Sequence, residues 1–130
     1  MHDIRDKGDV KVFVDKFYDA VQIDPLIGPV FLARIKAEAW PSHLERMYSF
    51  WNTVLFGLVD YRGNPFSKHA NLRIHREHFE RWLSLLSGII DQNFKGAKAE
   101  EVKMRAQKMG DMFQSKLDHI RSNNQFRNIL

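Results

Sequence analysis

The side chains able to do chemistry in this chain are histidines, aromatics and charged groups, because it contains no cysteine. Disulfide frameworks, thiolate zinc sites and cysteine nucleophiles are therefore excluded. Six histidines occur: His2, His43, His69, His75, His78 and His119. His75 and His78, three apart, could share a helix face, but a structural zinc site wants four ligands and no carboxylate set completes this one. The pair reads instead as surface residues or a helix start. The metalloprotease spacing, two His four apart with an intervening Glu, is absent. The glycines are isolated, so no phosphate-cradling loop forms. No nucleophile-elbow glycine pattern supports a serine triad.

His69 differs by its setting. It lies in Asn64-Pro65-Phe66-Ser67-Lys68-His69, a short stretch between two long apolar segments. A haem needs one axial nitrogen and a slot walled by flat apolar side chains. Phe17, Phe50, Trp51, Phe79 and Trp82 could wall such a slot, yet core packing alone would use the same aromatics. A His in a connecting segment could equally be a solvated residue. The residues by themselves leave both readings open.

The elements that must position these side chains are helical. Val10, Phe13, Val14, Phe17 and Val21 recur at spacings of three and four, the stripe of a first long helix. Asp24-Pro25 and Gly28-Pro29 interrupt it, leaving a short segment around 30–37. Trp40-Pro41 opens a second long helix, since proline is tolerated in a first helical turn and costly further in. Its stripe is Leu44, Met47, Trp51, Val54, Leu55 and Leu58, widened by Phe50 and Phe56, and Gly63-Asn64-Pro65 should end it. Residues 66–77 read as short or irregular structure. A third long helix carries Phe79, Trp82, Leu83, Leu86, Ile89 and Ile90, and stops near Lys95-Gly96. The last, about 98–121, buries Val102, Ala106, Met109, Met112, Phe113, Leu117 and Ile120. The polar tail 122–130 should fray. No strand-type alternation, repeat or low-complexity tract is present. The expectation is an all-α chain of one domain over 1–130, with its core at about 10–121.

Composition bounds the partners. A 130-residue chain with 44% hydrophobic residues can bury a core, and its ten Phe, three Trp and three Tyr give that core large flat side chains. The net charge of +4 arises from 20 basic and 16 acidic residues mixed together. Such mixing describes solvated helix faces rather than a nucleic-acid surface. No apolar run approaches the roughly 20 residues of a membrane span. The opening Met1-His2-Asp3-Ile4-Arg5-Asp6 lacks the basic-then-apolar order of a signal peptide. A cytoplasmic monomer that binds neither nucleic acid nor membrane is expected.

Taken in order, several motifs resemble the truncated haemoglobins, and specifically their group III. Phe17-Tyr18 is followed by Gly28-Pro29-Val30-Phe31. Trp40-x-x-His43 enters the next helix, and Phe50-Trp51 lies on it. Tyr61-x-Gly63-Asn64-Pro65 leads to Lys68-His69, and His78-Phe79-x-Arg81-Trp82-Leu83 completes the series. The similarity runs from about Val10 to Leu117. The Gly-Gly pairs usual in groups I and II are absent. Two positions differ from the usual pattern: Arg73 stands where proline is common, and Met47 where Ile or Leu is.

The resemblance implies a truncated globin fold, a two-over-two helical sandwich around haem b. It implies His69 as the proximal iron ligand, its second ring nitrogen donating to an acceptor that orients the ring. Tyr18, His43 and Trp82 would line the distal side as hydrogen-bond donors. Phe31, Met47, Trp51, Leu72 and Phe79 would form the apolar walls, and Lys68, Arg73 or Arg76 could pair the haem propionates. Each distal residue also has a plainer place. Tyr18 could simply cap a buried stripe, His43 could face solvent in its helix's first turn, and Trp82 could be core. The implied activity is reversible binding of dioxygen, nitric oxide or other diatomic ligands. An enzymatic alternative, nitric oxide dioxygenation or peroxide chemistry, would need a separate reductase. A cofactor-free helical interaction module is the alternative from another class, and it predicts a colourless protein.

Overall fold

The structure, a computed structural model, describes residues 1–57 and 74–129. His69 and Leu72, and with them Lys68 and Arg73, lie outside the described residues. Among the described residues, five α-helices and one 3₁₀ turn make up the regular structure, and no strand occurs.

Helix α1, Lys7–Ile23, begins where the Asp6 carboxylate accepts the Asp9 N–H at 3.0 Å, which satisfies one of the free donors of the first turn. The predicted stripe is its buried face: Val10, Phe13, Val14, Phe17, Tyr18 and Val21. Asp24-Pro25 ends it. Helix α2, Gly28–Arg34, follows almost at once, with Pro29 in its first turn. Its start presses on α1 so closely that a Cβ at Gly28 would stand 2.9 Å from the Val21 carbonyl oxygen, and only glycine fits there. A 3₁₀ turn at Ala37–Ala39 leads into α3, Trp40–Phe56, which carries Pro41 in its first turn as expected.

The end of α3 differs from the expectation. The helix stops at Phe56, not near Gly63, because Gly57 takes a left-handed conformation (φ 68°) and its N–H returns to the Thr53 carbonyl. A lone glycine inside an apolar run reads as tolerated, so the stop was not visible in the spacing. Helix α4, Arg76–Asn93, is N-capped by His75, whose backbone N–H donates to Nδ1 of His78 at 2.9 Å. The His75/His78 pair is thus the helix start that spacing allowed for. Helix α5, Ala97–Ile129, continues past the predicted end near 121. Residues 122–129 contain no glycine or proline, so nothing in them interrupts the backbone hydrogen bonds.

The helices form two pairs: α1 packs on α3, α4 packs on α5, and α1 also contacts α4. This is a two-over-two sandwich. Its closed core joins Val10, Phe13 and Val14 of α1 to Leu86 and Ile90 of α4 and Val102 and Ala106 of α5, all at 0–1% exposure. The chain's first residues seal one end. The Asp3 carboxylate accepts the N–H groups of Lys98 and Ala99, both at 2.9 Å, and so caps α5 from 95 residues away. Gly96, at φ 144°, brings the backbone against that carboxylate; a Cβ there would lie 2.5 Å from Asp3. Lys98 Nζ in turn donates to the Leu55 carbonyl at 2.6 Å, near the end of α3. No described helix is long and apolar enough to cross a membrane.

Candidate functional site

Beyond the closed core the helices diverge around a cavity of about 380 Å³. Of the residues singled out from sequence, Tyr18, Phe31, His43, Met47, Trp51, Phe79 and Trp82 all line it. They arrive from four helices. Phe17 and Tyr18 come from the α1 stripe and Phe31 from α2. His43, Met47 and Trp51, four apart along α3, share one face of that helix. Phe79 and Trp82 come from the first two turns of α4.

Tyr18 stands at the centre of an aromatic cluster and is 7% exposed. Its ring meets His43 edge to face, with centroids 5.0 Å apart and planes at 89°. Trp40, Phe31 and Phe17 surround it at 5.8, 6.0 and 4.9 Å. Burial pushes the Tyr18 phenol well above its ordinary pKa, so it stays a neutral proton donor throughout the physiological range. His43 faces inward with its Nε2 buried, not outward from the first turn of its helix. Trp82 is half-buried and packs edge-on against Phe17 at 6.2 Å.

The lining also contains residues that sequence reasoning did not select. Met109 and Phe113, four apart on α5, also line the cavity, and Phe113 packs against Phe79 with centroids 6.3 Å apart. Their stripe was legible, but not which part of it faces a cavity. Arg34, at the end of α2, and Arg46, on α3, reach the cavity while exposed, so they stand at its mouth. Charged residues on helices read as solvated surface, and nothing in their spacing marked them. Arg76, proposed from sequence as a carboxylate partner, is exposed in the first turn of α4 and does not line the cavity. The charged lining among the described residues is therefore basic.

One ion pair braces this region. Arg81 donates to Oδ1 of Asp24 through both Nε and a terminal nitrogen, each at 2.7 Å. Oδ2 of Asp24 accepts the N–H groups of Leu26 and Ile27 at 3.1 and 3.0 Å. The Arg81 guanidinium, helped by these two donors, holds the Asp24 carboxyl below the usual carboxylate range although burial acts the other way. A second tie lies beside the cavity, where Arg121 of α5 donates to the backbone carbonyl of Ile74, a lining residue.

Such a cavity suits a flat apolar ligand with an acidic edge at the mouth and a polar group facing Tyr18. Comparisons with known proteins agree with this description. A family model described as bacterial-like globin matches residues 3–115. The chain is 33% identical over 104 residues to the group 3 truncated hemoglobin of Campylobacter jejuni, covering 78% of this chain and 82% of that protein. The crystal structure of a group III truncated hemoglobin from Campylobacter jejuni superposes with a TM-score of 0.83 at 29% identity, over 90% of this chain and 95% of the other. The chain belongs to the bacterial-like globins and, within them, to the group III truncated haemoglobins.

Proposed function

We propose that this chain reversibly binds dioxygen and other diatomic ligands through haem b, with His69 as the proximal ligand. The observation supporting this reading is the gathering of Tyr18, His43 and Trp82 on the wall of one aromatic-lined cavity. A haem cofactor is what globin membership implies, and the residues present fit it. Phe31, Met47, Phe50 and Phe79 offer flat or adaptable apolar surface to a planar ring. Arg34 and Arg46 offer two cations at the mouth, where a haem's two carboxylates would emerge. His69 would supply the axial nitrogen, and Leu72 further apolar wall. When bound, haem supplies a ferrous iron able to take a diatomic ligand.

The chain's own residues would then decide how firmly that ligand is held. The neutral Tyr18 hydroxyl and the donor-only Trp82 N–H are suited to a ligand carrying partial negative charge, as dioxygen does more than carbon monoxide. His43, with Nε2 buried beside Tyr18, adds a third polar group on the same side. Each hydrogen bond contributes on the order of 1 kcal/mol net, which is several-fold in a dissociation rate. The reading takes the protein to be a cytoplasmic monomer. The test is the visible spectrum after haem supplementation. Wild type should show an intense haem band, and His69→Gly should lose the five-coordinate ferrous form and regain it with added imidazole. A colourless wild type would sink the reading, and an unchanged His69→Gly spectrum would remove His69 from the iron. Rapid mixing of the oxygenated protein with nitric oxide distinguishes a carrier from a dioxygenase, which would also need a separate reductase.

A further inference from the structure

Asp24 sits where three walls of the cavity meet. Helix α1, which carries Tyr18, ends at Ile23, and the Asp24 side chain follows at only 2% exposure. Through Oδ2 it collects the N–H groups of Leu26 and Ile27 and so folds the chain into α2, which carries Phe31. Through Oδ1 it receives Arg81 of α4, the neighbour of Trp82, from 57 residues away. All of its strong acceptor directions are therefore committed, and a buried carboxylate so committed resists displacement.

The position of Arg81 gives this tie a consequence for Trp82. Successive side chains on an α-helix point about 100° apart. With Arg81 anchored at the α1–α2 corner, Trp82 is carried around the helix into the cavity, where it packs on Phe17 at 6.2 Å. Rotation of α4 about its axis would move both, so pinning one pins the other. Phe17 is also the sequence neighbour of Tyr18, and their rings lie 4.9 Å apart. The two distal donors are thus referred to one buried carboxylate, Tyr18 by its helix end and Trp82 by its neighbour.

We infer that the Asp24–Arg81 pair is a positioning device that sets the Trp82 indole against Phe17 on the cavity wall it shares with Tyr18, and through it the hold on a ligand in the cavity. The inference rests on the haem-globin reading. Its test is a cycle of variants in the haem-loaded protein, read by the dioxygen dissociation rate and by the C–O stretching band of the carbon monoxide complex. Asp24→Asn should speed dioxygen dissociation about fivefold and broaden or split the C–O band. Arg81→Lys, which keeps the charge but not the forked geometry, should fall between it and wild type. In a Trp82→Phe background, Asp24→Asn should change neither readout further, because the residue it acts through is gone. A purely structural pair would give the same increment with Trp82 or Phe at that position, or would lower the melting temperature while both readouts stayed put. Either result overturns the proposal, and Arg81→Lys decides it if Asp24→Asn does not fold. A wild type that shows no haem band fails earlier and overturns the functional reading along with it.

Discussion

Helix α1 lends one stripe of side chains to two different interiors. Val10, Phe13 and Val14 enter a closed core in which aliphatic side chains of α4 and α5 meet them, and all are at 0–1% exposure. Tyr18, at 7% exposure, and its neighbour Phe17 turn toward a cavity instead, and their facing residues Phe31, Met47 and Trp82 are only partly buried. The spacing is the same on both stretches of the helix. What differs is the opposite wall: Ile90, Val102 and Ala106 fill the space in one place, whereas widely set aromatics leave a slot in the other, with Leu86 bordering both. Stability is therefore concentrated in the first interior, and ligand chemistry in the second, where unfilled space is part of the design.

The division can be attacked from the core side first. Phe13→Ala should cost about 3–5 kcal/mol by urea unfolding, because Phe13 is wholly buried and packs edge-on against Trp51 at 5.8 Å. Trp51 also lines the cavity, so haem uptake by the folded fraction should remain only while Trp51 holds its place without Phe13; if uptake fails while the protein is still folded, the two interiors are coupled through Trp51. An intermediate effect is expected with acid. Asp24 has a lowered pKa in the folded state, so its stabilisation is fully present above the ordinary carboxylate value of about 4 and is lost as pH falls through the lower folded value. Unfolding free energy should stay level from neutral pH to about 5 and decline below it. Asp24→Asn should flatten that decline, and an identical acid limb in the variant would exclude the Asp24 pair as its source. The smallest effect on stability belongs to Tyr18→Phe, within about 1 kcal/mol, since the ring remains. Its dioxygen dissociation should nevertheless rise several-fold, and an unchanged rate would return Tyr18 to the core.

The helices were legible in the sequence because period and stripe survive folding unchanged: the α1 stripe from Val10 to Val21 is the buried face observed. Their ends were less so. Gly57 stops α3 through one left-handed residue, a local event that the stripe around it conceals. In the site, spacing could not separate Tyr18, His43 and Trp82 from ordinary core residues, since a pocket wall and a core face have the same period. Ordered resemblance to group III truncated haemoglobins separated them. Arg34 and Arg46 escaped because a cation at a cavity mouth looks like any solvated cation along the chain. The Asp24–Arg81 pair escaped for a different reason: its partners are 57 residues apart, and only tertiary packing brings them together.

The carboxylate of Asp3 on the first turn of α5 has a consequence for the order in which the molecule closes. That contact joins positions 95 and 96 residues apart, so it carries nearly the largest loop-closure entropy the chain offers. Contacts of such span form late on a folding path and belong to the units that open first. The Lys98 and Ala99 amides, though at the head of the longest described helix, should then exchange with solvent ahead of the Val102 and Ala106 amides about one and two turns further on. The sandwich is a clasp whose catch joins the segment before its first helix to the head of its last, and its breathing is expected to begin at that catch.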